Sequence, residues 1–159
     1  MHGFCDLEDR VAVITGPAKG MGAATTLTLA NAGADLLLAG RDLGPIEEVA
    51  AKAQSLGRRA EVTRCDVTST RDVKVMCDTA LEKFGRVDIL VNIAGGTGPL
   101  ETTAWETTPE QFDQIIDLNM KGCFQTMRAI LPSMIERRYG KIVNVGGTFG
   151  LRGRALRMA

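Results

Sequence analysis

The sequence is poor in the residues that usually build metal centres and disulfide frameworks. Among its 159 residues there is one histidine, His2, and the four cysteines lie far apart with no C-x-x-C pair. This pattern argues against zinc and predicts reduced, mostly structural thiols. No apolar run is long enough to span a bilayer, and the amino terminus has no signal-peptide apolar core.

The sequence also lacks an excess of charge of either sign. Lys plus Arg total 19 and Asp plus Glu total 19, so the formal net charge is zero. A neutral chain offers no electrostatic basis for binding nucleic acid or a membrane surface. Together with the cysteine pattern, this predicts a cytoplasmic protein without metal, nucleic-acid or membrane partners.

What the chain does have is a regular alternation of apolar runs and amphipathic helical stretches. Such alternation is typical of a parallel sheet covered on both faces. We therefore predict one α/β domain over residues 1–159, with a Rossmann-like doubly wound sheet of about five strands and ligand at their carboxyl ends. The predicted strands are Val11–Ile14, Asp35–Ala39, Ala60–Cys65, Val87–Val91 and Lys141–Val145. The predicted helices are Gly20–Ala32, Pro45–Leu56, Arg71–Phe84 and Pro109–Arg138.

Two helix starts and one apolar stripe can be assigned from local sequence. Ser69 is predicted to cap the third helix, and Thr108 with Gln111 resembles a capping box before the fourth. The fourth helix carries an apolar stripe, which predicts either core or a subunit interface. A subunit interface on this helix would make the protein a homo-oligomer, which we expect. The stripe consists of Phe112, Ile115, Ile116, Met120, Phe124, Met127, Leu131 and Met134.

A glycine-rich turn follows the first strand with the spacing T-G-x-x-x-G-x-G. Glycines allow a tight turn and close approach of a pyrophosphate, and the helix that follows offers free N–H groups at its positive end. The same turn is compatible with a plain tight connection between strand and helix. The residues predicted to bind the phosphates are Gly16, Ala18, Lys19, Gly20, Met21 and Gly22.

The second strand ends at Gly40, where dinucleotide folds often carry a ribose-binding acid. No carboxylate is there to repel a phosphate, and Arg41 follows directly. Arg41 and Lys19 therefore favour NADP(H), while NAD(H) stays possible and both cations could be plain surface charges. Asp42 would be the ribose ligand if the strand end were displaced by two residues.

Polar residues also follow the third and fourth strands, namely Asp66-Val67 and Asn92-Ile93-Ala94-Gly95. A short acid at a strand end can accept a hydrogen bond from an exocyclic amine, and small residues let a flat cofactor lie against the backbone. Each motif alone could equally close a turn. Taken in order, the motifs resemble the short-chain dehydrogenase/reductase family over about Leu7 to Gly150. The resemblance implies that Asp66 contacts adenine and that the Asn-x-Ala-Gly run supports the sheet beside the cofactor.

The resemblance also implies catalytic residues, and the match is uneven. Asn119 matches the family's active-site asparagine, although it could simply be a buried amide that has found a partner. Gly147 occupies the place of the catalytic serine, and Thr148 is the nearest hydroxyl. The family's Tyr-x-x-x-Lys pair is expected about where the chain stops. The sole tyrosine, Tyr139, is followed four residues later by Val143.

These matches and departures lead to a graded functional expectation. The family performs NADP(H)-dependent hydride transfer between carbonyl and alcohol substrates, as in 3-oxoacyl reduction, and the carboxyl-terminal part of its fold is expected to be missing here. We predict that the 159-residue chain is limited to cofactor binding. The alternatives are a non-catalytic dinucleotide module and a self-associating structural fragment. The substrate stays open, and Leu100 and Trp105 could line its entrance or pack within their loop.

Overall fold

The computed structural model describes residues 6–97 and 103–147 and contains five strands and five α-helices within those ranges. The strands are β1 (Val11–Thr15), β2 (Asp35–Gly40), β3 (Ala60–Arg64), β4 (Ile89–Asn92) and β5 (Lys141–Asn144). The helices are α1 (Gly20–Asn31), α2 (Leu43–Ser55), α3 (Thr70–Phe84), α4 (Pro109–Ile116) and α5 (Gly122–Glu136), with a π-helical turn (Asp117–Lys121) between the last two.

The strands form one parallel sheet in the order β3-β2-β1-β4-β5. β1 lies at its centre, where Ile14 pairs with Leu38 on one side and Val91 on the other. This arrangement confirms the predicted Rossmann-like fold. A doubly wound sheet brings the carboxyl ends of its strands to one edge, which we call the carboxyl edge.

Alternate strand residues face opposite sides of the sheet and build two apolar layers. Ile14 and Leu38 are fully buried beneath α1 and α2, whereas Val13 and Leu37 are fully buried beneath α3 and α5. The near-continuous apolar strands are explained by this burial on both faces. No helix within the described ranges is both long and apolar enough to cross a bilayer.

The predicted helix caps are present. The Ser69 side chain accepts a hydrogen bond from the Asp72 N–H, and Thr108 and Gln111 form the reciprocal capping box. Side-chain capping satisfies N–H groups that the helix itself cannot, which fixes where α3 and α4 begin.

The prediction of one continuous helix from Pro109 to Arg138 is wrong at the π turn. There the Asn119 side chain donates from Nδ2 to the Ile115 carbonyl oxygen at 3.0 Å. A side chain bonded to the carbonyl four residues earlier competes with the regular backbone bond. The backbone widens locally, and α5 then ends at Glu136.

The apolar stripe divides between core and surface. Met134 is buried against the sheet, whereas Met120 and Phe124 are 66% and 56% exposed. Ile135, which is not part of the stripe, is 69% exposed on the same helix. The stripe therefore supplies core on one side and leaves an exposed apolar face on the other.

A buried ion cluster holds the opposite, amino edge of the sheet. Asp88 is fully buried and accepts hydrogen bonds from the Val11 N–H at 3.0 Å, Arg86 at 2.7 Å and Arg137 at 3.0 Å. Burial alone would raise the pKa of Asp88, but the bonds from Arg86, Val11 and Arg137 outweigh it and hold the pKa below its ordinary value. The cluster ties the start of β1 and β4 to the end of α5.

Candidate functional site

A cleft opens at the carboxyl edge, where four strand ends converge. It encloses about 440 Å³ when its open side is included. It brings together residues that are far apart in sequence, most of which were predicted as one site, and adds Cys65 and Leu118. Its lining consists of Gly16, Gly40, Arg41, Cys65, Asp66, Val67, Ala94, Gly95 and Leu118.

The glycine-rich turn is packed so closely that side chains do not fit. A Cβ on Gly16, whose φ is +72°, would lie 2.7 Å from the Ala94 nitrogen, and a Cβ on Gly22 would lie 2.0 Å from the Gly16 oxygen. Lys19 is the N-cap of α1, but its side chain makes no capping hydrogen bond. The first turn of α1 therefore presents its N–H groups without a side-chain cap, as an anion site requires.

Thr15 fixes the strand end beside this turn. Its buried hydroxyl accepts hydrogen bonds from the N–H groups of Ile93 and Ala94, both at 3.3 Å. This contact joins the ends of β1 and β4 where the cleft floor begins. The sequence gives no sign of it, because the partners are 78 and 79 residues apart.

Asn92 connects three elements at the same edge. Its Nδ2 donates to Asn144 Oδ1 at 2.8 Å, and its Oδ1 accepts from the Thr126 hydroxyl at 2.8 Å. β4, β5 and α5 are thereby held together beneath Ala94 and Gly95. Asn144 and Thr126 are site-supporting residues that the motifs did not reveal.

Asp66 begins the loop after β3. Its Oδ1 accepts hydrogen bonds from the Thr68 N–H at 2.9 Å and the Thr68 hydroxyl at 2.8 Å. These bonds, aided by the charges of Arg41 and Arg64, lower the pKa of Asp66 despite partial burial. The carboxylate is therefore ionised at neutral pH.

Gln125 holds this loop from the side of α5. Its Nε2 donates to the carbonyl oxygens of Val67 at 3.1 Å and Thr68 at 3.2 Å, while the Thr70 hydroxyl donates to its Oε1. Gln125 is almost fully buried, so its amide is satisfied only through these contacts. The path of the Asp66–Thr68 loop is set by a residue 57 or more positions away.

Cys65 also lines the cleft, but it is not a nucleophile at neutral pH. Burial, reinforced by the negative charges of Asp72 and Asp66, raises the pKa of its thiol to about 12. A thiol must lose its proton to attack or to bind a metal. Within residues 6–97 and 103–147, no group of three or more His, Cys, Asp or Glu side chains is placed to hold a metal ion.

The second strand ends at Gly40, in the predicted register. A Cβ there would lie 2.7 Å from the Cδ1 atom at the flexible end of Ile46. Arg41 lines the cleft, and Lys19 is exposed on the glycine-rich turn. Asp42 is the N-cap of α2 beyond the strand end, exposed and without a capping hydrogen bond.

Asn119 acts as a clip between the π turn and the loop after β4. Its Oδ1 accepts from the Gly96 N–H at 3.0 Å, and its Nδ2 donates to the Gly96 oxygen at 2.9 Å. The side chain is exposed, so the interpretation of a buried amide is wrong. The clip instead holds the Gly95–Gly96 segment at the cleft.

The other residues considered in the sequence analysis fall in four different places. Apart from its chain neighbours, no atom of the described residues lies within 4 Å of a Cβ placed on Gly147. Thr148 and Leu100 lie outside the described residues. Trp105 is 85% exposed, so the packing of its ring within the loop is not observed. Tyr139 lies under Arg10 at 4.4 Å, at the amino edge and away from the cleft.

Comparison with known proteins finds a family whose model matches this chain and, among others, two similar proteins. The model of the family described as short chain dehydrogenase matches residues 10–159. An uncharacterized oxidoreductase of Staphylococcus saprophyticus is 39% identical over 146 residues, covering 91% of this chain and 62% of the relative. The 3-oxoacyl-(acyl-carrier-protein) reductase FabG of Thermotoga maritima is 33% identical over 147 residues, covering 92% and 59%. The chain thus spans about three-fifths of the length of these curated relatives.

Solved structures agree in fold and differ in cofactor. NAD+-bound xylitol dehydrogenase matches with a TM-score of 0.90 and 29% identity over 95% of this chain and 58% of its own. A metagenomic short-chain oxidoreductase in complex with NADP matches with a TM-score of 0.89 and 30% identity over 95% and 68%.

Proposed function

The chain belongs to the short-chain dehydrogenase family, oxidoreductases that bind a nicotinamide dinucleotide, and we propose that it binds NADP(H) in preference to NAD(H). The observation that carries this preference is the strand end at Gly40. It has no carboxylate to accept the ribose hydroxyls or to repel a phosphate, and Arg41 follows it on the cleft wall. A guanidinium suits a 2′-phosphate because it can donate two parallel hydrogen bonds.

The rest of the cleft fits the other parts of a dinucleotide. The uncapped first turn of α1 and the close-packed glycines at Gly16 and Gly22 suit a pyrophosphate. The ionised Asp66, held by Thr68, suits the amino group of adenine. Ala94 and Gly95 leave a small-residue surface for the nicotinamide half.

The preference is tested by giving the strand end a carboxylate. We expect Gly40→Asp to weaken NADP+ binding by at least about tenfold and to leave or improve NAD+ binding, because a carboxylate repels the phosphate but accepts ribose hydroxyls. Gly40→Asn is the matched control, since it has the same size without the charge. Calorimetric titration with both dinucleotides measures the effect. Equal affinity of the unaltered chain for both dinucleotides, or equal effects of the two variants, would contradict the proposal.

We further propose that the activity associated with this fold is hydride transfer between NADP(H) and a carbonyl or alcohol substrate of 3-oxoacyl type. The likeness to the 3-oxoacyl reductase of Thermotoga maritima supports this substrate class. The bound nicotinamide would supply the hydride, and Asn119 would hold the Gly95–Gly96 segment in place beside it.

Within the 159 residues we propose cofactor binding without turnover. The sole tyrosine, Tyr139, lies at the amino edge under Arg10, so it does not reach the cleft as a proton donor. Gly147 has no hydroxyl for a substrate carbonyl, which favours a non-catalytic dinucleotide module as the second candidate function. Oxidation of NADPH by the purified chain with a 3-oxoacyl thioester should be absent. Measurable turnover by a homogeneous preparation would refute this part of the proposal.

We also propose that the chain forms homo-oligomers. The exposed side chains of Met120 on the π turn and of Phe124 and Ile135 on α5 support this, because neighbouring exposed apolar groups usually mark an interaction surface. Self-association without any dinucleotide binding would instead favour a structural fragment.

A further inference from the structure

We propose that Arg64 is a second specificity-determining arginine. When NADP(H) binds, the Arg64 guanidinium moves away from its present partner Asp72 and binds the 2′-phosphate together with Arg41. The inference rests on the proposed preference for NADP(H). It adds a residue from β3 to a site otherwise drawn from β1 and β2.

The register of the sheet places Arg64 beside Gly40. Arg64 is the last residue of β3, and its register partner on β2 is Gly40. Neighbouring strands lie about 4.8 Å apart, and register partners in a parallel pair face the same side of the sheet. Arg64 therefore starts directly beside the strand end that has no side chain of its own.

Arg64 forms only a weak ion pair with Asp72. Its side chain is 65% exposed, and its Nη1 lies 3.4 Å from Asp72 Oδ2. Charge-assisted hydrogen bonds of this type are typically about 2.7–2.9 Å long. Exposed pairs of this geometry contribute little to stability, so the guanidinium can exchange partners at low cost.

Asp72 does not depend on Arg64. Its carboxylate also accepts hydrogen bonds from the Asp66 N–H at 3.1 Å and the Ser69 hydroxyl at 3.0 Å. These contacts hold the start of α3 whether or not the guanidinium stays. A doubly charged phosphate would be a stronger partner for Arg64 than this already satisfied carboxylate.

The charged side chains around the cleft also favour a role for Arg64. The charges of Arg41 and Arg64 both contribute to the lowered pKa of Asp66, which lines the cleft together with Arg41. Lys19 adds a cation from the glycine-rich turn, while the nearby acids are Asp42, Asp66 and Asp72. The formal charges of these three cations and three acids cancel, so a bound phosphate gains most from the two arginines, which can turn toward it and each donate two hydrogen bonds.

The test replaces Arg64 by methionine, which keeps an unbranched side chain without the charge. We expect Arg64→Met to raise the dissociation constant for NADP+ by about tenfold, the typical effect of losing one charged hydrogen bond, and to change that for NAD+ by less than about twofold. The NADP+ affinity of the variant should also fall less steeply with added salt. Arg64→Lys should recover part of the loss. Lys52→Met is the charge-matched control, because Lys52 lies in the last turn of α2, remote from the carboxyl edge.

The outcomes separate this inference from the proposed function. If Arg41→Met weakens NADP+ selectively but Arg64→Met does not, Arg64 is excluded and the NADP(H) preference stands. Equal weakening of both dinucleotides by Arg64→Met also overturns the inference, because it indicates a general charge or folding effect. If the unaltered chain does not prefer NADP+, the proposed preference and the inference fail together. Circular dichroism of each variant checks that the fold is kept.

Discussion

At the scale of single residues, Asp88 has the largest number of charged contacts in the described ranges. Its carboxylate lies within 4.0 Å of Arg10, Arg86 and Arg137. A buried ionised group is tolerated only when it is paired and hydrogen-bonded, and its removal leaves uncompensated charge of the other sign. The Asp88 side chain is therefore more important for stability than its distance from the cleft suggests.

We expect Asp88→Asn to lower the free energy of unfolding by about 3–5 kcal/mol, the usual cost of breaking a buried ion pair on one side. Asp78→Asn, which removes an exposed pair with Lys74, should cost no more than about 0.5 kcal/mol. Urea unfolding followed by circular dichroism is the suitable measurement, because the exposed Trp105 is a poor reporter of the core. Equal effects of the two variants would contradict the assignment.

The same carboxylate gives a pH dependence with a definite sign. Because the pKa of Asp88 is lower in the folded chain, its contribution is fully present above the unfolded value of about 3.9. It is lost as the pH falls through the folded value. The unaltered chain should therefore lose stability below about pH 4 more steeply than Asp88→Asn, measured by urea unfolding between pH 3 and 6.

At the scale of elements, the Asn119 side chain in the π turn connects this turn to the loop after β4. Asn119 interrupts the helix through its bond to Ile115 and uses the same amide to bind Gly96. The break in the helix and the position of the loop thus have one cause. A regular helix would leave the Ile115 carbonyl to the backbone.

We expect Asn119→Leu to increase amide hydrogen exchange at Gly96, because within the described part of the chain that N–H donates to Asn119 Oδ1 alone. Asn119→Asp keeps the acceptor but loses the donors to Gly96 and Ile115, so its exchange should be intermediate. Each hydrogen bond contributes about 0.5–1.5 kcal/mol, so stability should fall by no more than a few kcal/mol. Gln114→Leu, an exposed change on α4, is the control. Unchanged exchange at Gly96 would rule out the clip.

The elements also show how far sequence reasoning reaches. Apolar runs predicted all five strands within two residues, and Ser69 and Thr108 marked two helix starts, because burial and capping are local signals. The π turn could not be predicted, since the apolar spacing around Asn119 fits a regular helix. The Gly96–Asn119 and Asn92–Asn144 bonds join residues 23 and 52 positions apart, and a single sequence does not encode such pairings visibly. Most residues of the cleft, and the supporting residues Asn92 and Asn119, were identified as motifs. The supporting residues Thr126, Asn144 and Gln125 were not.

At the scale of the whole molecule, the exposed apolar face of α5 is close in sequence to β5, which is an edge strand of the sheet among the described residues. Phe124 and Ile135 are more than half exposed, and Val143 on β5 is 49% exposed. An edge strand beside exposed apolar groups favours pairing with another chain. The homo-oligomer that we propose would therefore depend on this surface as a whole and not on one residue.

We expect the unaltered chain to elute above its monomer mass of 17.0 kDa, and Phe124→Ser with Ile135→Ser to shift it toward that mass. Losing two large apolar contacts of about 1.5–3 kcal/mol each should weaken association at least tenfold. Light scattering after size exclusion, repeated over a range of concentrations, measures this. Val75→Ser, an exposed apolar change on α3, is the control. A monomeric unaltered chain at all concentrations would contradict the proposal.

The central place of β1 has a consequence for the order of folding during synthesis. β1 pairs with β2, which follows it closely, but its other neighbour β4 begins only at Ile89. Until the ribosome has released β4, one side of β1 has no partner, and the unit β1-α1-β2-α2-β3 is a half-sheet with an open inner edge. Pairings between distant segments form slowly, and the nascent chain is open to aggregation in the meantime. The strand that is most completely buried in the finished protein is therefore the one most in need of protection while it is being made.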